Sequence, residues 1–383
     1  MLPANKQRAF IGLIFFSIGV SFASWASRIP DIKANFQLND AELGSLLILM
    51  PISSLISLPF SGWLVSKFNS RKPLIISIFL NACSLMLIGN SSSIVVLSIG
   101  ISLFSFTTRT LNLSLNTQGV HLQKLFPKNI LGTFHGLWSA GGILGAALTT
   151  LLLNYQISIQ FHLIIVAVIV ILACGSAYPF LIKNDKPKSG NKIIIGKPDP
   201  FIFMLGLIAF CAAVCEGGMF DWSGIYFKEV IKTPIFTYGY LTFMTFMAAF
   251  RFLSGPIIAK IGMRRNYVMS AFSISTGILL ATAFPNIWCG LIGFALVGMG
   301  TASIIPMTYA LAGKSDKYST GMALSIITTY TISGMLIGPP IIGYISHAFS
   351  LRISFLLFAV AGFMILPISH LLFKKFIDNQ ENN

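Results

Sequence analysis

The sequence predicts an all-helical, polytopic membrane protein of twelve transmembrane helices arranged as two pseudo-symmetric six-helix bundles. Three observations predict it: a scarcity of charge, a succession of apolar segments each about 20 residues long, and a register in which the second half repeats the first. Of 383 residues, 55% are hydrophobic and only 10% charged, where ordinary soluble domains carry roughly 25% charge. Mean hydropathy is +0.81. That composition excludes a soluble enzyme and a disordered chain. The formal net charge of +15 suggests a polyanion partner until the 26 Lys and Arg are located. They stand mostly in short gaps between apolar runs, so no nucleic-acid partner is expected and the charge reports topology.

Taken in order, the apolar segments fall at approximately 9 to 28, 42 to 65, 73 to 90, 94 to 120, 131 to 154, 161 to 182, 201 to 222, 237 to 259, 267 to 284, 288 to 312, 321 to 346 and 352 to 373. Each is long enough to cross a roughly 30 Å hydrocarbon core as a helix, and none alternates in polarity as a barrel strand would. The first has the basic start and small residues (Ala23 to Ser27) of a signal peptide; the spans behind it need it as their first, so it is expected to stay. With the N-terminus inside, the cytoplasmic segments hold 19 of the 26 basic residues, which puts both termini in the cytoplasm. The polar stretch KNDKPKSGNKIIIGKPDP divides the chain into a bundle over 1–182, a linker over 183–200 and a bundle over 201–383.

Shifting one half against the other by 193 residues lays Gly62 on Gly255, Lys67 on Lys260, Arg71 on Arg264, Gly100 on Gly293, Gly141 on Gly334 and Gly145 on Gly338. That is a parallel structural repeat. The five cysteines lie within apolar runs. Cys211 and Cys215 are i,i+4, but nothing nearby completes a tetrahedral ligand set, so packing is expected and no metal.

The repeated basic loops, Gly62-WLVSKFNSRK and Gly255-PIIAKIGMRR, resemble the Gly-x-x-x-Asp-Arg/Lys-x-Gly-Arg-Arg/Lys signature of the major facilitator superfamily. The resemblance retains Gly62, Lys67, Arg71 and Lys72, then Gly255, Lys260, Gly262, Arg264 and Arg265. Ser66 and Ala259 replace the usual Asp, so the charge-relay gating assigned to that Asp is not carried over. The stretches SWASRIPDIK, FHGLWSAGGILG, EGGMFDWSGIYF and GPPIIGYIS are similar to a bacterial inner-membrane branch near the fucose-permease-like carriers. The resemblance implies a monomeric secondary transporter in a bacterial inner membrane. It would work by alternating access around a midplane site, without a cofactor and driven by a proton gradient. The expected cargo is a small polar organic solute, anionic or hydroxyl-rich, moved by symport. Rival readings are proton-coupled efflux of amphipathic compounds, against which the absence of proline from span five weighs, and a non-transporting sensor or assembly partner.

Charge within hydrocarbon costs roughly 2.5 to 3.5 kcal/mol on insertion scales, which singles out Arg109, Glu216, Asp221 and Arg251. Arg109 shares a helical face with Ser105, Asn112 and Asn116. It either grips a carboxylate, phosphate or hydroxyl cluster of the cargo or pairs structurally with Glu216. Glu216 precedes Gly217-Gly218, a thin and bendable point; it carries the coupling proton or is a static partner of Arg109. The 193-residue offset carries Arg28 onto Asp221 at the outer ends of spans one and seven. In the resembled family those ends approach, which implies an extracellular gate pair with Trp25 and Trp222 packed beneath it. Local pairing of Arg28 with Asp31, and tryptophans in the interfacial belt, are the alternatives. Arg251 resembles an arginine many members carry above the second basic loop and is read as structural. His135 is read as packing before proton carriage. Trp138 and Tyr330 offer aromatic walls suited to sugars and flat rings, and Thr328, Thr329 and Ser333 offer hydroxyls unless these bond to their own helix. No nucleophile elbow, phosphate-cradling loop or metal-spaced histidine set occurs, so the chain is not expected to be an enzyme.

Overall fold

A computed structural model describes residues 3–126, 130–183, 199–318 and 320–376. Among them there are helices and no strand. Eleven helical stretches are long and apolar enough to cross a membrane. One of these, Thr237–Ala283, is two helices joined at Gly262, where φ is 80° and ψ 160°; counting both gives the twelve expected spans. Span one is Ala4–Ala26, continued past a short turn by Ile29–Asn35. Span two is Asp40–Leu47 with Leu49–Phe68, span three Arg71–Gly89, span four Ile94–Gln123, span five Leu131–Asn154 and span six Ile159–Ala177. Span seven is Pro200–Glu229, spans eight and nine lie either side of Gly262, and span ten is Ile287–Thr301 with Ile304–Ala312. Span eleven is Thr320–Ala348 and span twelve Leu351–Ser354 with Leu356–Phe376.

Helix ends follow local chemistry. Ser93, Asp199, Asn286 and Ser350 each accept a hydrogen bond from the backbone N–H three residues on, at 2.8 to 3.3 Å, satisfying one of the donors a helix start leaves orphaned. The break between spans two and three falls at Asn69, with φ 63° and ψ 172°, 193 residues before Gly262. Both repeats thus use one left-handed turn, filled by the residue types that adopt positive φ at least cost.

The chain forms two compact units, Met1–Gln37 with Leu46–Lys192, and Leu38–Ser45 with Ile193–Asn383. Residues 184–198, most of the linker, lie outside the described residues. Residues 38–45, which the sequence places in 1–182, belong to the second unit. There Gly44 lies 3.2 Å from a backbone atom of Gly343 at the position a Cβ would take, Ser45 Oγ is 2.9 Å from the Tyr344 hydroxyl, and the Asp40 carboxylate accepts from Ser346.

Within each unit the packing repeats. Span one lies along span five as span seven lies along span eleven, and span three packs on span six as span nine packs on span twelve. A Cβ on Gly141 would strike the Phe16 carbonyl oxygen, and one on Gly145 would come within 2.6 Å of that of Val20. In the second unit Gly334 and Gly338 face the carbonyls of Phe210 and Val214 in the same way. These small-residue faces are backbone-to-backbone contacts. They also correct the register: spans five and eleven keep the 193 offset, but Phe16 and Phe210, like Val20 and Val214, are 194 apart. From Phe16 to the turn at Asn69 the chain is one residue longer than from Phe210 to the turn at Gly262. By packing, the mate of Arg28 is therefore Trp222 and not Asp221, and one residue turns a helix by about 100°.

Candidate functional site

In the second unit, span seven carries Glu216 into the core, where it is 6% exposed. Its Oε1 lies 3.3 Å from Nη2 of Arg251 on span eight. Arg251 Nε donates to the Ala302 carbonyl at 3.4 Å, between the two pieces of span ten. Arg251, read from sequence as structural, is thus the partner of Glu216 within this unit. The neighbouring glycines have a packing reason more than a bending one. Gly217 lies 3.2 Å, measured from where its Cβ would sit, from the Met335 backbone on span eleven, and a side chain on Gly218 would strike the Phe358 ring on span twelve.

In the first unit Arg109 is half-buried on span four. The polar stripe beside it is partly used inside the bundle: Ser105 donates to the Met50 carbonyl on span two, and Asn116 Nδ2 donates to the Asn112 carbonyl at 2.8 Å. Trp138 belongs to this unit, its ring 6.1 Å from that of Phe22. Tyr330 belongs to the second, where its ring covers Gly206 and stands edge-on to Phe203 at 6.3 Å. Thr328 and Ser333 donate to their own helix at 2.8 and 2.9 Å, the backbone alternative allowed by the sequence.

At the end of span one Arg28 is 2% exposed and bound on three sides. It pairs with Asp31 at 2.7 Å, donates from Nε to His162 Nδ1 at 3.0 Å and from Nη2 to the Ile157 carbonyl at 2.8 Å. These partners lie in its own bundle, and Asp31 is the local one the sequence offered. Asp221 is half-buried on span seven. Trp25 and Trp222 are fully buried, Trp222 donating to the Pro339 carbonyl at 3.1 Å, so neither is a belt residue.

The basic loops tie each bundle to its last helix. The Arg71 guanidinium stacks 3.9 Å over the Tyr178 ring and donates to the Tyr178 carbonyl at 2.9 Å. Arg264, its mate, reaches His370 Nδ1 at 3.4 Å. Lys67 sits 4.8 Å over Trp63. A Cβ on Gly62 or Gly255 would meet open space, and Lys72, Lys260 and Arg265 are exposed.

Sequence reasoning missed His162 and Gln118. Gln118, fully buried, donates to Ser70 at 2.6 Å and to the Ile182 carbonyl at 3.0 Å, and accepts from the Ile182 N–H at 2.8 Å. It stands nine residues after Arg109, hence on the opposite side of span four. An amide so far off the polar stripe is the signal that it serves a protein partner.

A sequence profile described as Major Facilitator Superfamily matches residues 9–276 and 238–379. An uncharacterized MFS-type transporter of Yersinia pestis is 27% identical over 356 residues, covering 92% of this chain and 92% of that one. Membrane protein MosC of Rhizobium meliloti is 29% identical over 365 residues, covering 94% of this chain and 88% of that one. Among solved structures, the nucleoside transporter NupG superposes with a TM-score of 0.80 over 96% of this chain and 100% of that one, at 10% identity, a likeness of fold alone.

Proposed function

From a chain that belongs to the major facilitator superfamily, and is therefore a multi-pass membrane transporter rather than an enzyme, we propose proton-coupled symport of a small polar organic solute, anionic or hydroxyl-rich, by alternating access with both termini cytoplasmic. The observation that carries the reading is the Glu216–Arg251 pair. Buried ions are tolerated in a membrane interior when paired, and are kept where they serve a pathway. At 3.3 Å the carboxylate is held by one contact that a proton replaces: protonation of Glu216 removes the attraction and frees the Arg251 guanidinium, and release restores it. Arg109, together with Asn112, is the cation-and-amide surface proposed to meet the cargo, with Trp138 of the same unit as an aromatic wall.

The test has two parts. Thermal stabilisation of the purified protein and of Arg109→Ala is measured across sugars, sugar acids, amino acids, nucleosides and hydrophobic cations. A polar ligand that stabilises the wild type and not the variant is the expected result; stabilisation by hydrophobic cations equal in both replaces this reading with efflux. The ligand found is then followed in proteoliposomes, where Glu216→Gln is expected to abolish uptake driven by a proton gradient while leaving ligand exchange. Gradient-driven uptake unchanged in that variant removes the coupling role.

A further inference from the structure

The repeat carries a groove as well as its glycines. In the first unit a cavity of about 440 Å³ runs between spans two and three with span four as its floor, lined among others by Leu64, Lys72, Ile76, Leu80 and Phe106. Its mate in the second unit, lined by Ile257, Met269, Ser273 and Met299 at the same 193-residue offset, holds about 50 Å³. The cause of the difference is local. Asn266 donates to Ser303 Oγ at 2.7 Å and to the Met307 sulfur at 3.2 Å, drawing span nine onto span ten. A Cβ on Gly300 would lie 2.6 Å from the Ser270 carbonyl, so the two backbones touch. In the first unit Pro73 stands where Asn266 does and has no side-chain donor, and Thr107 stands where Gly300 does; spans three and four are joined farther from the basic loop, where Asn81 donates to the Phe104 carbonyl at 3.2 Å and to the Thr107 and Thr108 hydroxyls at 3.2 and 2.9 Å.

The larger groove opens outward: Phe60, Ile76 and Leu80 on its walls are 45%, 59% and 37% exposed. Its floor presents hydrocarbon, because Thr107 and Thr110 bond back to the carbonyls of Leu103 and Phe106 on their own helix at 2.7 and 3.2 Å. At the end nearest the basic loop stands Lys72, exposed and with no ion pair among the described residues. We propose that this groove is a binding site for one anionic phospholipid, an acyl chain lying along Leu64, Ile76 and Phe106 and the headgroup phosphate meeting Lys72. An apolar slot in the bilayer-facing surface is filled by what surrounds it, and the lysine at its mouth selects the headgroup by charge.

The full-length protein, purified and delipidated, is titrated with dioleoyl phosphatidylglycerol or dioleoyl phosphatidylcholine, and bound lipid is counted by native mass spectrometry alongside Tm. Phosphatidylglycerol is expected to half-saturate at a concentration about fivefold lower than phosphatidylcholine, the advantage one lysine gives at an anionic headgroup. Lys72→Gln is expected to erase that preference, and Leu80→Trp, which plugs the groove from its rim, to weaken both lipids. Arg265→Gln, the mate of Lys72 beside the filled groove, is expected to leave the preference intact, and glycerol phosphate without chains to give no shift in Tm. Equal binding of the two lipids, a preference that survives Lys72→Gln, an unaltered Leu80→Trp, or an equal loss in Arg265→Gln would each overturn the proposal.

Discussion

In the first bundle the buried guanidinium of Arg28 is bound by Asp31, His162 and the Ile157 carbonyl, whereas in the second the buried carboxylate of Glu216 meets Arg251 through one contact at 3.3 Å. The helices, the left-handed turn and the glycine contacts repeat between the bundles; the placement of charge does not. A group bound from three sides is fixed, since releasing it means breaking all three. A group held from one side exchanges its partner for a proton or a solute at the cost of a single interaction. The same scaffold thus gives one bundle an ion held on three sides at its end and the other a singly contacted ion pair in its core.

The comparison breaks most forcefully through the glycines, which the two bundles share. Gly141→Val and Gly334→Val push a side chain into a backbone carbonyl and are expected to cost 3 kcal/mol or more, beyond the ordinary range of overpacking at roughly 1–3 kcal/mol, read as loss of monodisperse protein in detergent. Gly62→Ala and Gly255→Ala, whose Cβ meets open space, are expected to stay within about 0.5 kcal/mol.

Next in size is the pair. Arg251→Met leaves a carboxylate unpartnered in the core and is expected to destabilise by about 3 kcal/mol. Glu216→Leu with Arg251→Met is expected to recover most of that stability in thermal unfolding while transport stays lost; recovery of both would show the pair to be scaffolding. Arg28→Gln, which strips a buried charge from Asp31, follows at about 2 kcal/mol, with Asp221→Asn near zero. Because Arg28 is already bound on three sides within its own bundle, the exchange Arg28→Asp with Asp221→Arg is expected to add the two losses of transport, and a rescue would establish the two as a gate pair. Smallest is the loop: Arg71→Lys loses a stack on the Tyr178 ring that comes with one hydrogen bond to its carbonyl, together worth about 1 kcal/mol, and Arg264→Lys, with its 3.4 Å contact to His370, loses less than half of that. Equal effects would place the two loops on one footing.

Much of this was legible in the chain before folding. The twelve spans could be read because each helix in a bilayer must be long and apolar by itself. The repeat already laid Asn69 on Gly262, but their shared positive φ was not readable, since the two have no side-chain chemistry in common. Arg109, Glu216 and Arg251 stood out because charge in hydrocarbon is costly wherever it falls. Which of them meet was not readable, because partners 35 residues apart, as Glu216 and Arg251 are, are chosen by how spans seven, eight and ten pack.

What the sequence by itself determined, then, is the number of spans, the repeat and the short list of buried charges, all consequences of a solvent that penalises each residue one at a time. Only the tertiary structure decided that Arg251 holds Glu216, that Arg28 is held within its own bundle, and that one of two equivalent grooves is open. The groove turns on small local differences, an Asn266 in place of Pro73 and a Gly300 in place of Thr107, and the register of span one on a single residue. Helix packing converts such differences into rotations of about 100° per residue or a few ångströms of separation, and neither leaves a mark on hydropathy.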